Sequence, residues 1–138
     1  MAEIIERGIL LSFDELRILL YGMGIRSLEG IYMPEKEFTE REIIQALRRM
    51  SAHGMILAEN GQFSIREDLL QILEIMGHPA GTLVYSPEEG STQEYFCYMV
   101  PGRVAVSERY WKKKDTLKLR LFTEDEYKAW RVQTDDNN

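Results

Sequence analysis

The side chains best suited to nucleophilic or metal chemistry are few in these 138 residues: His53, His78 and Cys97. A metal site needs several ligands at spacings, such as HEXXH or paired CXXC, that bring them to one face or turn. Neither histidine has a second ligand at such a spacing, so no metal ligand is expected. His53, beside Gly54 at a helix end, is placed to meet the helix dipole instead. Cys97 stands between Phe96 and Tyr98 in an aromatic strand, where a thiol packs and does not attack. The acids fall mainly at helix starts and on exposed faces, and no pair stands out as a general acid and base. These observations predict no catalytic residue, no cofactor and no enzymatic activity.

Binding chemistry offers more. Arg41, Arg48, Arg49 and His53 project from one predicted helix, the one that would read base edges in a DNA-binding winged helix. The acids Glu35, Glu37, Glu40 and Glu42 lie close to them in sequence. The net charge is −6 and the pI about 5.0, so a phosphate backbone is repelled by the molecule as a whole and nucleic acid is not the expected partner. The charge is uneven. From Arg103 to Arg120 seven cations face two acids, a local excess of five that leaves −11 on the rest. Within that segment Tyr110-Trp111 precedes Lys112-Lys113-Lys114, which reads either as a solvated hairpin loop or as a contact for an acidic partner.

The elements that must position these groups divide into a helical part, residues 1–78, and a strand-rich part, residues 79–132. Together they are expected to form one α+β domain, with a frayed tail over 133–138. The clearest stretch runs from Thr39 to Ile65. Thr39 and Glu42 form a capping box, Ile43, Ile44, Leu47 and Met50 follow at helical spacing, and Gly54 stops the helix. Asn60-Gly61 then suits the two positive φ angles of a type I′ turn between two short strands. A helix ending in such a wing resembles the second half of a winged helix, although residues 25–38 show no period for its middle helix. Ser12 with Glu15, Ser64 with Glu67 and Thr123 with Glu126 are further capping boxes, the last opening a short C-terminal helix with Tyr127 and Trp130. Ile9-Leu10-Leu11 fits a short strand or a packed lead-in equally well.

Four strands are predicted, at Thr82–Ser86, Gln93–Val100, Arg103–Arg109 and Thr116–Phe122, forming an antiparallel meander with a Pro101-Gly102 turn. Leu117, Leu119 and Leu121 alternate with Lys118 and Arg120, which predicts one buried and one wet face. Gln93–Val100 is apolar on both faces and must be covered twice or bind something. The predicted core is Leu16, Leu20, Ile44, Leu47, Leu70, Leu73, Leu119 and Leu121.

The order FDELRILLYGMG, LRRMSAHGMI, ENGQFSI, DLLQILEIMG and LKLRLFTEDEYKAW resembles one half of the EspG-type chaperones of bacterial type VII (ESX) secretion, over about residues 9–132. The resemblance implies a cytoplasmic, non-enzymatic adaptor or chaperone that holds a secretion substrate. The alternative is a winged-helix DNA-binding regulator. Half of a pseudo-twofold body suggests a homodimer, with Tyr95, Phe96, Tyr98 and Val100, together with Tyr110 and Trp111, as the expected protein interface. The single cysteine, and the lack of an apolar run near the roughly 20 residues of a bilayer span, predict a reducing compartment and no membrane.

Overall fold

A computed structural model describes residues 8–32, 36–87 and 93–136. In chain order they form β1 (Ile9–Ser12), α1 (Phe13–Gly22), α2 (Glu40–Ala52), β2 (Ile56–Glu59), β3 (Gln62–Ile65), α3 (Glu67–Gly77), β4 (Gly81–Tyr85), β5 (Tyr95–Val100), β6 (Arg103–Arg109), β7 (Thr116–Thr123) and α4 (Glu124–Asp136). None of these helices is long and apolar enough to cross a membrane.

Three helices start where their sequences offer a reciprocal cap. Ser12 Oγ accepts from the Glu15 amide at 3.1 Å while Glu15 returns the bond at 3.0 Å. Thr39 with Glu42, and Thr123 with Glu126, do the same at 2.8–3.1 Å. Each pair satisfies two amides that the first helical turn leaves without partners. The box expected from Ser64 and Glu67 does not form, because Ser64 is committed to β3 opposite Leu57. There α3 opens from Arg66, and the Asp68 carboxylate accepts from the Leu69 amide at 2.8 Å.

The main sheet has five strands, not four, in the order β1-β7-β6-β5-β4, with every pair antiparallel. The added strand is Ile9–Ser12, which pairs with β7 and sets the fully buried Leu11 opposite Leu117. Four residues are too short for their own period to decide between strand and lead-in, and pairing decides it. At the β2–β3 turn, Asn60 and Gly61 take φ of +52° and +75°, as a two-residue hairpin requires. Gly102 has φ +81° at the turn from β5 to β6.

Helices cover both faces of the sheet. On one, Leu16, Leu20, Leu73 and Leu119 pack with Tyr98 and Ala105 into a core shared by α1, α3 and the strands. On the other, Trp130 and Tyr127 of α4 close over Tyr85, Cys97, Val104, Val106 and Phe122. This double cover explains β5, whose Phe96-Tyr98-Val100 side joins the first core and whose Tyr95-Cys97-Met99 side joins the second. It also corrects β7: its second face is not wet, since Arg120 and Phe122 are buried there. The C-terminal helix is longer than expected and runs to Asp136, so residues 133–136 are helical and Thr134 is buried.

Between α1 and α2 the described residues hold no helix. Residues 25–31 instead lie against β5, where the Tyr98 hydroxyl donates to the Glu29 carbonyl at 2.6 Å. Gly30 has φ +80°, and a Cβ there would stand 2.0 Å from the Phe96 ring, so both conformation and space require glycine.

Of the predicted core, Leu16, Leu20, Leu73 and Leu119 are buried, while Leu47, Leu70 and Leu121 are half-buried. Ile44 is a correction: it is 42% exposed. Ala46 and Met50 anchor α2 in its place, because the apolar stripe of this helix is wider than the surface available beneath it.

Candidate functional site

The residues expected at an interface separate into two groups. Tyr98 is 0% exposed, and Tyr95, Phe96 and Val100 are half-buried, each packed against one of the chain's own two cores. Burial pushes the Tyr98 phenol well above its ordinary value. Tyr110 and Trp111 remain on the surface. Tyr110 is half-buried and its amide donates to the Thr116 carbonyl at 2.9 Å, closing the β6–β7 loop, whereas Trp111 is 79% exposed with Lys112 Nζ 5.1 Å from its ring centroid.

The α4 side is closed by mutual satisfaction. Trp130 meets the Tyr95, Tyr85 and Phe122 rings at centroid distances of 4.9, 5.8 and 5.5 Å. Beneath it Arg120 pairs with Glu108 at 2.5 Å, both nearly out of water, and Gln93 donates to the same carboxylate. The Arg131 guanidinium lies 4.0 Å from the Tyr85 ring centroid, and Tyr85 donates to the Asp135 carboxylate. The Tyr127 hydroxyl reaches Cys97 Sγ at 3.5 Å, and burial pushes that thiol up, away from the thiolate. These contacts turn the polar groups of Glu108, Arg120, Tyr127, Arg131 and Asp135 toward one another or toward aromatic rings, which is the arrangement of a structural core.

The helix and hairpin contrast with this. The register pairs Ala58 with Phe63 on the same face of the hairpin as Ile56 and Ile65. From that face Phe63 reaches out beside α2, where Ile44, Leu47, Ser51 and Ala52 complete an open groove of about 450 Å³ with Arg48 on its rim. Phe63 is 58% exposed, and Leu57 on the opposite hairpin face is 50% exposed. Among the described residues that line this groove, Arg48 and Ser51 are the polar ones and both are exposed, so it offers shape and apolar contact. The sequence carried a sign of it, since Ile43, Ile44, Ala46, Leu47 and Met50 span an arc too broad for one neighbouring layer. What could not be read was that Phe63 would stand beside that arc.

The cations expected to act together on α2 are divided. Arg48 borders the groove, while Arg49 and His53, one turn apart, line a different cleft with Arg66 and Lys113. A single step along a helix rotates by about 100°, which sends neighbours such as Arg48 and Arg49 to different surfaces. His53 and His78 are both exposed at helix ends. Among the described residues no three metal-ligating side chains gather.

No protein-family model matches the chain, and comparison with curated proteins finds no match.

Proposed function

We propose that the chain is a non-enzymatic protein-binding adaptor and that the groove between α2 and the β2–β3 hairpin is its docking surface. The observation that carries this reading is the joint exposure of Ile44 and Phe63 on one concave patch whose lining the half-buried Leu47 completes. Contiguous apolar surface of this kind marks interaction sites, and a groove rimmed by a charge suits one face of an amphipathic helix. The likeness to EspG-type chaperones supplies a client: a small, helical type VII secretion substrate, held in the bacterial cytoplasm before export.

Co-expression with small helical type VII secretion substrates, followed by size exclusion with light scattering, tests the reading. A stable complex is expected, and Phe63→Glu should abolish it while leaving the fold intact. A complex indifferent to Phe63→Glu would remove the groove from the account. The same measurement on the isolated chain reads self-association, for which this groove and the exposed Trp111 are the candidate surfaces. A mass near 32 kDa, twice 16.1 kDa, that falls on Phe63→Glu would make the occupant a second copy.

The regulator reading is supported by α2 and its hairpin, which have the order of a winged helix, with Arg41, Arg48, Arg49 and His53 exposed. Against it stand the charge of −6 and the lack of a helix among the described residues 25–32 and 36–39 ahead of α2. Sequence-specific DNA binding with a Kd of about 10⁻⁸ M at physiological salt would promote it over the adaptor.

A further inference from the structure

Two adjacent clefts on the α1 side of the molecule, a two-part trough, share Lys113 and Thr116 in their walls. The first, of about 590 Å³, is lined by Phe13, Tyr32, Lys36, Arg109, Lys113 and Lys114. The second, of about 420 Å³, adds Arg49, His53 and Arg66 above the apolar Ile9, Leu10 and Met55. On a protein of net charge −6 this concentration of cations is unusual, and it draws on β1, the α2 end, the β3–α3 junction and the β6–β7 loop.

Some of these cations are already engaged. Lys36 pairs with Asp14 at 3.0 Å and Glu42 at 3.4 Å, and Arg66 with Asp68 at 2.6 Å. Among the described residues Arg49, Lys113 and Lys114 form no ion pair, and Arg109 lies 6.0 Å from the Phe13 ring centroid without a carboxylate partner. The loop that carries the lysines is pinned at its base. The Tyr110 amide donates to Thr116 and the Phe13 amide to Asp115, both at 2.9 Å, and Asp115 holds a positive φ of +53° to make the second bond. Cations presented on a fixed loop over an apolar floor cost little reorganisation when a ligand arrives.

We propose that this trough takes an extended acidic segment of the protein partner, with carboxylates against Arg49, Arg109, Lys113 and Lys114 and aliphatic side chains on Leu10 and Met55. The proposal rests on the adaptor reading and gives its partner a charge. A peptide fits better than a nucleic-acid strand for two reasons. The second cleft is lined by Ile9, Leu10 and Met55 with no Phe, Tyr or Trp among its described residues on which bases could stack, and the acids Asp14, Glu15 and Asp115 interrupt the walls, which a continuous phosphate backbone would meet at close range.

Fluorescence anisotropy tests this with a labelled peptide of about twelve residues in which glutamate alternates with alanine and leucine. Controls are the same peptide with glutamine for glutamate and a thymidine oligonucleotide of equal charge. The acidic peptide should bind at low salt, and glutamine replacement should weaken it by about tenfold or more, as should the K113E/K114E double variant. Rising ionic strength should weaken it further. Equal binding of the glutamine peptide, or no effect of K113E/K114E, would overturn the proposal. Tighter binding of the oligonucleotide, with quenching of the exposed Trp111, would replace it with a nucleic-acid site. Phe63→Glu should leave peptide binding unchanged, so failure of the trough and failure of the groove give separate results.

Discussion

Helices α2 and α4 have the same length, thirteen residues, and opposite fates. The first carries the plainest apolar stripe in the chain, yet only Ala46 and Met50 are buried and Ile44 lies open. The second is dominated by charged and polar residues, yet its Trp130 and Tyr127 plug the sheet and bring Arg131 and Asp135 into contact with Tyr85. An apolar period therefore says which side of a helix is apolar, not what covers it. A few large aromatic side chains bury more surface than a long stripe of aliphatic ones whose opposite number is missing.

The contrast is sharpest at Trp130. Trp130→Ala should cost about 3–5 kcal/mol in denaturant unfolding, because it empties the point where four aromatic rings meet. A loss below about 1 kcal/mol would mean that α4 is not anchored there. On α2 the buried and the open halves of the stripe should part company. Met50→Ala should cost about 2–5 kcal/mol, whereas Ile44→Ala should cost about 1 kcal/mol or less, since the Ile44 surface is already 42% exposed and leaves no closed cavity. Equal losses at the two positions would place Ile44 in a packed contact and close the groove.

The α4 side should also respond to alkali. Burial is the first cause that pushes the Tyr85 and Tyr127 phenols up to about 12, above the ordinary value of 10.0. Both are held neutral in the folded protein, whereas the unfolded chain ionises near its ordinary value. Their contribution to stability is then complete below about pH 10 and is lost as the pH rises toward 12. Denaturation midpoints measured across that window should fall, and Tyr127→Phe should make the fall shallower. A decline that is unchanged in Tyr127→Phe would assign it to other groups.

Much of the fold was legible from local chemistry. Three capping boxes, the Asn60-Gly61 turn and the four later strands were readable because each depends on residues within a few positions of one another. The errors share a cause. β1 is a strand only through its partner β7, Ser64 is drawn from its cap into β3, and Arg120 is buried through Glu108, a partner on another strand. The same holds for β5: its sequence is apolar on both sides, and the cover of its second side comes from α4, a helix distant in the chain and longer than its sequence predicts. Of the surface candidates, Trp111 with its lysines stayed exposed, and the groove at Ile44, Leu47 and Phe63 came into view only when α2 and the hairpin were set side by side.

The most direct test of the central claim is amide hydrogen exchange on the complex with the co-expressed client, compared with the free chain. The groove account predicts new protection over residues 44–52 and 57–63, with β5 and α4 unchanged. Protection gained on β5 or α4 instead, with the α2 and hairpin amides exchanging as in the free chain, would contradict it.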